Sequence, residues 1–301
     1  MENFKVGDIV ARKSYNYDVL FKITKVNQNG IVELAGLTVR ILADAPEYDL
    51  KHISDEETER RNKNDELSRR VRVNRCYMNM NKKSSMYSKN NGFNQNMYGN
   101  DIKKEDENPN FFKREAVLKK PGIILHIDGD PEYTQKCKEN YKNMGLIAYT
   151  YNIPESEQYK QVYGLLQKIR PNILILTGHD AFLRKRNDIY NIENYKNSKY
   201  YLQGVLEARR YEHNLDNLVI FAGACQSYYE ALISAGANFA SAPKRVLIDM
   251  MDPMIVAQTI ALTPVDEYVP LENILSNTRE GINGIGGLQT KGQYRVGMPG
   301  I

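Results

Sequence analysis

The stretch NLVIFAGACQSYYEALISAG, residues 217–236, decides the reading of the chain. It opens with an apolar run that has no polar alternation, passes through Gly-Ala-Cys, and continues into a sequence of helical character. The reading is a buried strand followed at once by a helix, with Cys225 at the junction. An apolar strand lacking alternation belongs to a sheet covered on both faces.

The same alternation extends in both directions. GIILHIDG (122–129), LIAYTYN (146–152) and NILILTGHD (172–180) read as strands, and NFASAP and KRVLIDM as further candidates. PEYTQKCKENYKNMG, PESEQYKQVYGLLQKIR, SKYYLQGVLEARRYEHN and DPMIVAQTIAL read as helices. Strand–helix alternation of this kind specifies a parallel α/β sandwich over residues 121–301. From Pro264 the chain is rich in glycine, and no regular element is assigned there.

Upstream the pattern differs. Residues 1–53 carry short β-rich runs, DIVARK, VLFKITKV, GIVELAGL and VRILADAP, separated by turn residues such as Asn29-Gly30. The opening FKVGDIVARK resembles that of SH3-like β-barrels. Residues 54–120 form the middle segment. Ser54 and Glu57 have capping-box spacing, which predicts a charged helix over 54–75. The Asn-, Lys-, Ser- and Met-rich run that follows has no period and reads as a disordered linker. That reading leaves Cys76 incidental.

The formal charge is +4, and it sits in the middle: residues 55–120 carry 16 basic and 11 acidic residues. A globally basic nucleic-acid-binding surface is not indicated. No apolar run approaches the roughly 20 residues of a membrane span, and the first residues lack the pattern of a signal peptide. Three widely spaced cysteines, Cys76, Cys137 and Cys225, argue against a disulfide framework and fit a reducing compartment. No CxxC or HExxH pattern predicts a metal, and no cofactor is expected.

Ligands of parallel α/β sheets bind beyond the carboxyl ends of the strands. Three such ends carry reactive groups here: Asp128 and Asp130, then Gly178-His179-Asp180, then Cys225. A cysteine needs a partner of this kind, because its free pKa of about 8.5 leaves little thiolate at neutrality. His179 across a groove serves as that base, and the N-terminal end of the following helix adds positive potential. Backbone N–H groups of Cys225 and of the Gly178–Asp180 turn are the candidate oxyanion donors. His126, inside a strand, and His213, at a helix end, are weaker rivals for the base.

A hydrophobic strand ending in His, followed some tens of residues later by one ending in Ala-Cys, resembles the layout of caspase-like cysteine peptidases. The order FKVGDIVARKSYNYDVLFKI, basic linker, TGHD and AGACQSYYEALISAGANFASAP is similar over the whole chain to the YabG family of sporulation-specific peptidases. That resemblance implies a cysteine endopeptidase that processes spore-coat and germination proteins after basic residues, chiefly Arg. It also implies location in the cytoplasm of the sporulating mother cell and association with the spore coat, with Cys225 as nucleophile and His179 as base. Where Arg-specific relatives carry an acid two residues before the Cys, this chain has Gly223. The acid for a substrate guanidinium is therefore expected at Asp128, Asp130 or Asp249. Self-cleavage is expected in the 55–120 linker, after Arg60, Arg61, Arg69, Arg70, Arg72 or Arg75. Two alternatives stand beside this reading: a cysteine amidase with a strand–helix nucleophile elbow, and a non-enzymatic coat-binding module. Oligomeric state is not legible.

Overall fold

The computed structural model describes residues 4–90, 118–183 and 188–297. The N-terminal strands are β1 (Ile9–Arg12), β2 (Leu20–Val26), β3 (Ile31–Gly36), β4 (Leu42–Pro46) and β5 (Leu50–His52). They form an antiparallel sheet in the order β4-β3-β2-β1-β5. In β3 every second residue is buried, the alternation that a sheet with one covered face requires. The β2–β3 turn uses Gly30 at φ +74°, the left-handed region glycine reaches without penalty.

Helix α1 (Asp55–Asn90) follows. Its first turn is capped as expected, with the Glu57 N–H donating to the Ser54 hydroxyl. The helix runs well past residue 75, however, where the composition had suggested disorder through to the next strand. Val73, Cys76 and Met80 recur at helical spacing and are buried in the main core, so Cys76 is a packing residue. The run 91–117 lies outside the described residues.

The second body contains β6 (Leu118–Lys120), β7 (Ile124–Asp128), α2 (Pro131–Asn143), β8 (Ala148–Asn152), α3 (Glu155–Ile169), β9 (Ile173–Thr177) and α4 (Ser198–Tyr211). It continues with β10 (Val219–Ala222), α5 (Tyr229–Ser234), β11 (Phe239–Ser241), α6 (Asp252–Leu262), α7 (Leu271–Leu275), β12 (Ile285–Gly287) and β13 (Arg295–Gly297). The main sheet has the order β12-β11-β10-β9-β7-β8, parallel except for β12. The strand order reverses between β7 and β9, which is where a crevice opens at the carboxyl edge.

Alternate strand residues serve the two faces. Leu125, Ile127, Leu174, Leu176 and Ile220 pack under α3 and α4. Ile124, Ile173, Ile175, Val219 and Phe221 pack under α2 and α6. Every residue of α6 is buried, because the sheet lies on one side of it while α1 and α7 pack on the other. A helix apolar all round needs such double cover.

Three local expectations change. KRVLIDM forms no strand; its residues 248–250 instead receive the chain between β3 and β4. The helix after Cys225 begins only at Tyr229 and is six residues long, so the thiol does not sit at a helix N-terminus. The glycine-rich C-terminal part supplies α7, the antiparallel edge strand β12, and β13, which pairs with β6.

Candidate active site

The chain leaves β10 through Gly223, at φ +107°, and turns sharply into Ala224-Cys225. The turn is pinned from both sides: the Ala224 N–H donates to the Ser227 hydroxyl at 2.9 Å, and the Ser241 hydroxyl donates to the Ala224 carbonyl at 2.8 Å. Cys225 is fully buried. Its Sγ accepts the Ile248 N–H at 3.1 Å, and burial pushes the thiol up to about 12. No hydrogen bond joins Cys225 to His179 among the described residues.

Beyond β9, the His179 N–H donates to Glu155 Oε1 at 2.7 Å, and its carbonyl accepts from Tyr201 and Asn197. A Cβ on Gly129 or Gly178 would overlap the Glu155 carboxylate, so two strand ends pack closely around this one acid. Burial raises the pKa of Glu155. The His179 ring lies against the Tyr133 ring, 5.3 Å between centroids. Its Nε2 is 4.0 Å from Asp130 Oδ2 and 3.5 Å from the Gly36 carbonyl. Asp180 is buried and accepts from Ser198, Ser227 and the N–H groups of Ala181 and Asn197. Desolvation nevertheless raises its carboxyl to about 6.

Beyond β7, Asp128 is fully buried and receives Arg40 Nη2 at 2.9 Å. His126 Nε2 lies 3.5 Å away, its Nδ1 being paired with the Tyr141 hydroxyl. Burial alone would raise the Asp128 pKa; the Arg40 guanidinium and His126 hold it well below the usual carboxylate range. Asp130 instead caps α2, accepting from the N–H groups of Glu132 and Tyr133.

Arg40, from the connection between β3 and β4, is the residue the sequence did not single out. It is wholly buried. Its guanidinium also donates to the Met250 and Gly178 carbonyls and stands 4.9 Å from the centroid of the Tyr133 ring. Its carbonyl oxygen accepts two N–H groups, that of Asp180 at 3.2 Å and that of Cys225 at 3.1 Å. The two main-chain donors named from the strand ends therefore converge on one oxygen. Gly178 takes part through its carbonyl, as an acceptor.

The remaining candidates lie elsewhere. Asp249 is engaged by Arg69 at 3.0 Å and Arg72 at 3.1 Å, both from α1. Arg60, Arg61, Arg69, Arg70, Arg72 and Arg75 all lie on α1 rather than in an extended linker. His126 is buried and pairs with Tyr141 and Asp128, and His213 is exposed; neither is hydrogen-bonded to Cys225. Among the described residues there is no cluster of metal-ligating side chains and no helix long and apolar enough to cross a membrane.

No solved structure matches the chain. The sporulation-specific protease YabG of Bacillus subtilis (strain 168) is 38% identical over 303 residues, covering 98% of this chain and 98% of that protein. The family model described as YabG peptidase U57 matches residues 5–299, and the chain therefore belongs to the YabG family of peptidases.

Proposed function

We propose that this peptidase is a sporulation-specific cysteine endopeptidase that cuts protein chains after arginine. Cys225 is the nucleophile, His179 the proton shuttle, the N–H groups of Asp180 and Cys225 the oxyanion donors, and Asp128 the acid of the arginine pocket. The observation that carries this reading is Arg40: one arginine has its carbonyl on both N–H groups and its guanidinium on Asp128. A pocket acid and an oxyanion site spanned by a single arginine residue are what cleavage after Arg demands.

In the reaction, His179 takes the thiol proton, and sulfur attacks the carbonyl carbon of a bound arginine. The oxygen gains charge between the two N–H donors, and His179 returns the proton to the departing amine. Water then hydrolyses the thioester. The Asp130 carboxylate lies 4.0 Å from His179 Nε2.

The strand order, with His after β9 and Cys after the neighbouring β10, supports a caspase-like arrangement for residues 121–301. The five antiparallel strands support an SH3-like barrel for residues 1–53, with residues 54–120 as helix and linker. Spore-coat and germination proteins as substrates, the cytoplasm of the mother cell as the place of action, and association with the coat follow from the family resemblance.

The test is hydrolysis of fluorogenic peptides with Arg, Lys or a neutral residue before the scissile bond. Cys225→Ala and His179→Ala should each abolish Arg turnover, and the double variant should be no worse than either single one. Full activity of Cys225→Ala on Arg peptides would refute the reading.

A further inference from the structure

We infer that the connection between β3 and β4 is an internal, substrate-like plug that keeps the peptidase latent until it withdraws uncut. This inference rests on the function proposed above and concerns how the same site is regulated.

The pose is that of a bound peptide. Thr38–Arg40 runs antiparallel to residues 248–250: the Arg40 N–H donates to the Ile248 carbonyl at 3.2 Å, and the Met250 N–H to the Thr38 carbonyl at 3.1 Å. Addition of an extended segment to an exposed main-chain edge is a general mode of peptide recognition. The arginine pocket and both oxyanion donors are filled by the residue that ends this segment. An external arginine has no place to enter while Arg40 is there.

The pose is also unproductive. The amide that would have to leave, the Ile41 N–H, donates to the Val39 carbonyl at 2.9 Å, not to His179. The Cys225 Sγ is held by the Ile248 N–H and makes no hydrogen bond to His179. The segment is further clamped at both ends. The Gly36 N–H donates to the Ile41 carbonyl at 2.8 Å, the Tyr133 hydroxyl donates to the Gly36 carbonyl at 2.7 Å, and β3 pairs with β4 just beyond. An amine kept in place this way would reseal the bond if it were cut. Entropy favours such an occupant, because it is tethered and pays no association cost.

The test compares the full-length wild type with Arg40→Gln, using a fluorogenic Arg peptide and a peptidyl-arginine chloromethylketone as probe. Arg40→Gln should turn over the peptide at least about tenfold faster at first contact and should be labelled at Cys225 correspondingly faster. Because Arg40→Gln leaves Asp128 unpaired and is at risk of not folding, a second measurement uses wild type alone. A peptidyl-argininal should bind with an onset rate that becomes independent of its concentration, and amide exchange of residues 37–42 should rise as it binds. Equal initial rates in a folded Arg40→Gln variant, or rapid binding with no change in exchange at 37–42, would overturn the plug. So would a new N-terminus at Ile41 accompanying activity. Those results leave Cys225-dependent turnover standing, so the plug would fail alone. Turnover that survives Cys225→Ala would instead remove the proposed function and the plug together.

Discussion

Arg40 Nη2 donates to Asp128 Oδ2 at 2.9 Å, and both side chains are completely shut off from solvent. The partners are separated by 88 positions in the chain; Arg40 comes from the connection between β3 and β4, and Asp128 ends β7 of the parallel sheet. A buried pair in this position is a poor source of net stability, but breaking one half of it is expensive.

The first prediction follows from that asymmetry. Asp128→Asn leaves the guanidinium buried against carbonyls alone and should destabilise the chain by about 3–5 kcal/mol. Arg40→Met combined with Asp128→Asn should recover a large part of that loss. Chemical denaturation of the two singles and the double gives the coupling; additive effects would show that the pair does not act as a unit.

Thiol chemistry gives the second. All three cysteines are free and buried, and burial pushes both Cys137 and Cys225 up to about 12. Iodoacetamide at pH 8 should therefore modify native wild-type protein slowly, and denatured protein three times per chain. Opening the segment above Cys225, as in Arg40→Gln, should accelerate labelling there and leave Cys76 and Cys137 unreactive. Peptide mass mapping reads the sites; rapid native labelling of Cys137 would contradict the packing of α2.

Asp252 supplies a pH prediction. Burial and the neighbouring Asp249 carboxylate raise it from 3.8 to about 7, even though it accepts the N–H groups of Asp249 and Arg279. The folded state thus holds this proton more tightly than the unfolded chain. The contribution of Asp252 to stability is highest below pH 4 and declines as pH rises to about 7. Asp252→Asn keeps an acceptor and abolishes the titration. Its melting temperature relative to wild type should rise between pH 5 and pH 8. A constant difference across that range would refute the assignment.

The fourth prediction concerns α1. Met80 is 1% exposed, in the layer between α1 and α6. Met80→Ala should cost about 2–4 kcal/mol. An exposed neighbour on the same helix, Met78, should tolerate the same change with less than about 0.5 kcal/mol. Equal and negligible effects at both would mean the helix is not docked in solution.

The parallel sheet was legible because β7, β9 and β10 are buried on both faces and hence mostly apolar, which also marks where each strand stops. The reactive groups at those stops could be named for the same reason. Arg40 was illegible: in VRILADAP it is one polar residue in a short β-rich run, and its partners come from contacts far along the chain. The helical stripe Val73, Cys76 and Met80 was present in the sequence, but three apolar positions among so many Asn, Lys and Ser residues do not reveal the α6 surface that makes them worth burying. Edge strand β12 is three residues, two of them glycine. Its structure is set by pairing with β11 and by close approach of Phe239 and Tyr229 to Gly287 and Gly286, not by local preference.

The placement of Asp249 has a consequence for how the molecule comes apart. It receives Arg69 and Arg72 from α1, while the carbonyl of its neighbour Met250 receives Arg40 from the β3–β4 connection. Two segments from outside the parallel sheet are thus moored to adjacent residues of one non-strand stretch. Displacing this one stretch would break both moorings at once. The N-terminal sheet, α1 and the parallel sheet should accordingly melt together in one calorimetric transition, with a van't Hoff enthalpy matching the measured heat, and the small β-module is no detachable cassette.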